Sequence, residues 1–156
     1  MSATDSDPGP QALPDRLQDV VEEFHEVSVR ERLQLLLEYA DAVPELPAHL
    51  ADDRAGLEQV HECQSPLFLA VDVGPAPDHA VRLFFDAPPE APTTRGFAGI
   101  LHAGLDGLPA ATVLAVPGDA PMRLGLAEAV SPLRLRGMSA MLTRIQRQVR
   151  RALAAG

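Results

Sequence analysis

The chain holds a single cysteine, Cys63, within the run His61-Glu62-Cys63-Gln64-Ser65-Pro66. A lone cysteine rules out an internal disulfide, a CxxC redox pair and a cysteine-based zinc site. It is then either a small buried hydrophobe or a nucleophilic thiol. Its neighbours weaken the first reading: Glu62, Gln64 and Ser65 are polar, and Pro66 has no N–H to give to a ladder. The sulfur is therefore expected in a loop or at a strand edge. Nucleophilic work needs an accessible sulfur and a lowered thiol pKa, and the Glu62 carboxylate opposes a thiolate unless a cation offsets it. His61 points to the same side as Cys63 only if the backbone stays extended between them.

Other chemistries find less support. A cysteine hydrolase needs a base oriented by a third group, yet His25, His49, His61, His79 and His102 are scattered and none accompanies a Gly-rich nucleophile turn. The same scatter leaves no HxxxH or HExxH pair, so no metal site is expected.

The elements that must position Cys63 are legible from spacing. After a polar leader expected to be disordered over residues 1–12, Leu17, Val20, Val21 and Phe24 recur at helical intervals. Ser28 and Glu31 form a capping-box pattern, after which Leu33, Leu36, Leu37 and Ala40 repeat the period until Pro44. Val43 to Gly56 reads as a surface loop. Leu67 to Val73 and His79 to Phe85 read as two antiparallel strands joined by a turn, with Leu57 to Val60 as a third. Thr93 or Thr94 is expected to cap a helix whose Phe97, Ile100, Leu101 and Leu105 face inward, ending near Gly107. A short helix from Pro109 follows. Ser131 and Pro132 then open a long helix with Met138, Met141, Leu142, Ile145, Val149 and Ala152 inside and arginines outside. The expected fold is α+β: a small curved antiparallel sheet of about three strands packed against helices, in one domain over residues 13–156.

Charge is unevenly spread in this chain of net charge −9. Acids dominate up to Glu62, whereas Arg123, Arg134, Arg136, Arg144, Arg147, Arg150 and Arg151 face only Glu128 near the other end. Overall acidity, the absence of Trp and few aromatics for stacking argue against nucleic-acid binding. No stretch approaches the roughly 20 apolar residues of a membrane span, and the first residues do not read as a secretory signal, so a cytoplasmic protein is expected.

Four blocks carry a family resemblance. Glu62-Cys63-Gln64-Ser65-Pro66-Leu67-Phe68-Leu69 resembles the Cys-Gln-Ser stretch of the SufE family of sulfur acceptors. Val43-Pro44-Glu45-Leu46 is similar to the Leu-Pro-Glu-Leu that closes the family's second helix. Thr94-Arg95-Gly96-Phe97 resembles its Lys/Arg-Gly-Leu helix start, and Ser131-Pro132-Leu133-Arg134-Leu135-Arg136-Gly137-Met138 its Ser/Thr-Pro-x-Arg-x-x-Gly-Leu block. The blocks keep the family's order across residues 14–153. The chain departs from the pattern at Glu62, where Gly is common, at Phe68, where Trp is common, and in Pro88, Pro89 and Pro92. The resemblance implies a SufE/IscU-like fold and a persulfide carried on Cys63. Its implied partners are a cysteine desulfurase, which the protein stimulates, and an iron–sulfur scaffold. It implies no resident cofactor, pyridoxal phosphate belonging to the desulfurase, and it makes Arg134 the candidate thiolate-stabilising cation. Leu67, Leu69 and Met138 are expected to line a shelter for the sulfur. The competing expectation is an adaptor that docks on the same enzyme without carrying sulfur.

Overall fold

The computed structural model describes residues 12–155, so most of the expected leader lies outside the described residues. Helix α1 (Asp15–His25) buries Leu17, Val20, Val21 and Phe24, the four residues picked out by period. Helix α2 (Val29–Asp41) starts in a complete capping box: Ser28 Oγ accepts from the Glu31 N–H, and the Glu31 carboxylate accepts from the Ser28 N–H. Its buried side chains are Leu35, Leu36 and Ala40. Leu33 and Leu37 stand exposed beside Val29, on the side of the helix away from its packed neighbours.

The Val43–Gly56 segment is less irregular than its prolines suggest. Pro47 precedes a one-turn helix, α3 (Ala48–Ala51), and a 3₁₀ turn spans Arg54–Gly56. The sheet follows, with β1 (Glu58–Gln59), β2 (Phe68–Val73) and β3 (Val81–Asp86) antiparallel in the order β1-β2-β3. The β2–β3 register pairs Leu69 with Phe85, Val71 with Leu83 and Val73 with Val81. Side chains alternate across a strand, so these residues share the face that carries buried Leu69, Val81, Leu83 and Phe85. The later strand of the hairpin, β3, starts at Val81 rather than His79, since His79 adopts a left-handed φ of 52° and ends the turn instead.

Helix α4 (Pro92–Leu105) is the centre of the molecule. Phe97, Ile100, Leu101 and Leu105 face inward as expected, but Thr94, Gly96, Ala98, Gly99 and Gly104 are buried as well. A helix apolar nearly all round is a core helix. The expected threonine cap is not used: Pro92 occupies the first turn, Ala91 is the N-cap, and Thr93 and Thr94 lie inside the helix. Proline's fixed φ and missing N–H suit that first position. Helix α5 (Ala110–Leu114) follows, then two 3₁₀ turns and the long α6 (Pro132–Ala155), which buries Met138, Met141, Leu142, Ile145 and Val149. Ser131 receives the Arg134 N–H at its Oγ, 3.3 Å away, in the N-cap role its sequence position suggests.

Candidate functional site around Cys63

Six residues, 61–66, separate two buried anchors, Val60 and Leu67. The Val60 N–H donates to the Leu67 carbonyl at 2.8 Å, closing the loop at its base. At the tip the Cys63 N–H donates to the Val60 carbonyl at 3.2 Å. Cys63 thus sits in a closed loop between β1 and β2, as its polar neighbours and Pro66 imply. It is neither entombed nor free: the side chain is partly buried and packs against the hydrophobic core. Leu67, Leu69 and Met138 are all buried in that core.

The loop lies on α6. A Cβ placed on Gly137 would stand 3.1 Å from Cys63 Sγ and 3.5 Å from its Cα. Seven residues on, and so on the same helical face, Arg144 reaches back to the loop. Its Nη2 lies 2.6 Å from Glu62 Oε1, and its Nη1 lies 2.6 Å from Glu58 Oε2 on β1. Arg147 and Gln148 add bonds of 2.9 and 2.8 Å to the two Glu58 oxygens. Gln148 Oε1 meanwhile accepts the Val71 N–H at 3.0 Å, a donor of β2 with no strand beside it once two-residue β1 has ended. Arg144 is mostly buried, with 14% of its side chain exposed, and its Nε lacks a hydrogen-bond partner.

These charges set the sulfur's chemistry at rest. Burial is the largest influence and pushes the Cys63 thiol up to about 11; the Glu62 carboxylate pushes the same way, and the Arg144 guanidinium opposes both. Glu62 is held below the usual carboxylate range, first by its hydrogen bond from Arg144. Burial alone would raise Glu58, but bonds from Gln148, Arg144 and Arg147 outweigh it and leave its pKa lowered. The thiol is thus protonated at neutral pH, and becoming a nucleophile requires a change around it.

The residues expected from sequence do not all gather here. Cys63 is in place. Arg134 lies exposed in the first turn of α6, where its backbone N–H donates to Ser131 Oγ, and the guanidinium that acts on Cys63 is that of Arg144. His61 is exposed and acts on Glu62. Arg95 ties α4 to the end of α2 through the Ala40 carbonyl at 3.0 Å and to the residue after β3 through the Ala87 carbonyl at 2.7 Å, and Gly96 allows Leu36 to pack close. Both are structural. Sequence reasoning counted Arg144 among the outward arginines and passed over Gly137. The available signal was a glycine inside a long amphipathic helix, which costs about 1 kcal/mol against Ala and so marks a close approach.

Comparisons with known proteins place the chain in a family. A SufE family profile, described as an Fe-S metabolism associated domain, matches residues 18–149. An uncharacterized SufE-like protein of Mycobacterium tuberculosis is 58% identical over 143 residues, which are 92% of this chain and 97% of that protein. The Arabidopsis thaliana SufE-like protein 1, chloroplastic/mitochondrial, is 25% identical over 139 residues, covering 88% of this chain and 36% of its own length. The solution structure of a hypothetical protein from Thermus thermophilus superposes with a TM-score of 0.80 at 44% identity, over 92% of this chain and 99% of that one. With a family profile spanning most of its length and a relative of this similarity, the chain belongs to the SufE family and is associated with iron–sulfur metabolism.

Proposed function

We propose that the protein accepts sulfane sulfur from a cysteine desulfurase as a persulfide on Cys63, stimulates that enzyme by clearing its product, and delivers the sulfur for iron–sulfur cluster assembly on a scaffold. The observation that carries this reading is the position of the only cysteine, partly exposed on a short loop closed at its base. In the transfer step the Cys63 thiolate attacks the terminal sulfur of the donor's cysteine persulfide. A sulfur–sulfur bond to Cys63 forms as the donor's own sulfur–sulfur bond breaks, and the donor cysteine leaves as a thiolate. No net oxidation occurs, and the proton shed by the Cys63 thiol passes to water. Delivery repeats the exchange with the acceptor's thiolate as nucleophile.

The resting thiol, held protonated, also suits an adaptor that docks without carrying sulfur. One experiment separates the readings. Incubation with an active desulfurase and cysteine should add one sulfur's mass to the intact protein, with the gain lost in Cys63→Ser. If the mass stays unchanged and Cys63→Ser still stimulates the desulfurase fully, the carrier reading is wrong and the adaptor reading stands.

A further inference from the structure

The strongest ion pair at the loop involves the residue next to the nucleophile. Arg144 holds two carboxylates at 2.6 Å each, yet they are not equivalent. Glu58 is 25% exposed, belongs to a strand, and has Arg147 and Gln148 as further partners. Glu62 is 50% exposed, belongs to the loop, and pairs with Arg144. Glu58 therefore anchors the guanidinium, while Glu62 is the arm that can let go. The Glu62–Arg144 pair ties this loop to α6, and it lies one residue from Cys63.

We propose that Arg144 is a positioning residue for sulfur transfer and that its bond to Glu62 is a latch, which keeps the loop shut on α6 until a docking partner draws Glu62 away. The purpose of the latch rests on the sulfur-carrier reading; its existence does not. While it is closed, the Cys63 sulfur stays against Gly137, and the guanidinium is committed to two carboxylates rather than to the sulfur. Release of Glu62 exposes the sulfur and withdraws the nearest opposing charge. The charged groups acting on Cys63 are Glu62 from its own loop and Arg144 from α6, with His61 acting on Glu62.

Because Cys63 is the only thiol, alkylation by iodoacetamide, followed by intact mass from about pH 7 to 12, reads this site alone and needs no desulfurase. Glu62→Gln should alkylate about tenfold faster than wild type at about pH 7.5, a factor equal to one unit of thiol pKa, with the midpoint of the rate profile moved down. Arg144→Gln should also accelerate alkylation by freeing the loop, but with its midpoint no lower than wild type, since the cation is gone. Arg147→Gln removes one bond to Glu58 and leaves the Arg144–Glu62 pair intact, so its rate should stay near wild type. A Glu62→Gln protein that keeps its circular dichroism and the wild-type rate and profile would overturn the latch. So would an Arg147→Gln protein accelerated as much as Glu62→Gln, because general loosening of the seam would then suffice. Failure of Cys63 to take up sulfur from a desulfurase would defeat the carrier reading and leave these alkylation results intact.

Discussion

At the scale of the residue, Gly137 sets how closely the sulfur can lie on α6. A methyl group there would meet Cys63 Sγ at 3.1 Å and the Glu62 carbonyl oxygen at 3.7 Å. Gly137→Ala should gain about 1 kcal/mol in helix propensity and lose about as much to the crowding of the loop. The expected outcome is an unfolding midpoint within a few degrees of wild type, measured by thermal denaturation, together with faster iodoacetamide alkylation as the loop is pushed off the helix. An unchanged alkylation rate would mean that the loop does not feel this contact. Glu62 has the opposite character. Its effect on a neighbouring thiolate was readable from adjacency alone, but the cation that offsets it was not, because Arg144 lies 82 positions away in sequence.

At the scale of the element, α4 explains why three glycines, Gly96, Gly99 and Gly104, lie in one central helix. A Cβ at Gly99 would come within 2.1 Å of the Tyr39 carbonyl oxygen, and one at Gly104 within 2.7 Å of Leu17 Cδ1. These residues let α2 and α1 pack against α4 closer than side chains would permit. At Gly99 the obstacle is backbone, which cannot swing aside. Gly99→Ala should therefore cost about 3 kcal/mol, at the upper end of overpacking effects, despite its gain in helix propensity. Chemical denaturation would detect this as a lowered midpoint, and a cost below about 1 kcal/mol would show that α2 can shift without penalty. Most of the elements were legible because their signals are local. The Ser28–Glu31 box, the α1 period and the Ser131–Pro132 start of α6 each lie within one or two turns. The less legible features depend on neighbours: Leu33 and Leu37 match the apolar period of α2 yet are exposed, because burial requires another element facing them.

At the scale of the whole molecule, folding brings the acidic first part of the chain onto the arginine-rich last helix. Glu58 and Glu62 meet Arg144 and Arg147 across the seam between β1, its loop and α6. Both carboxylates have pKa values lowered from 4.5 in the fold. An acid whose folded pKa is lowered contributes stability that is complete above its unfolded pKa and disappears as pH falls through the folded value. His102 acts in the same direction: burial lowers its pKa from 6.5, so protonation opposes the fold as pH drops below that value. Thermal stability should thus decline gently below about pH 6.5 and more steeply below about pH 4.5. Glu58→Gln should lower stability at neutral pH by about 2 kcal/mol, the scale of a hydrogen bond to a charged group, and flatten the acid limb of the curve. An acid limb as steep as wild type would remove Glu58 from this role. The sequence by itself determined the order of the longer helices and of the strands, the sheet of three strands, the family and the placing of Cys63 in a loop, since those follow from short-range periods, caps, prolines and contiguous blocks. Only the tertiary structure decided that Arg144, among the seven arginines near the end of the chain, turns inward to the cysteine loop. Seven like guanidiniums carry no label in sequence, and what distinguishes one is the carboxylate pair that a packed strand and its loop hold against that turn of the helix.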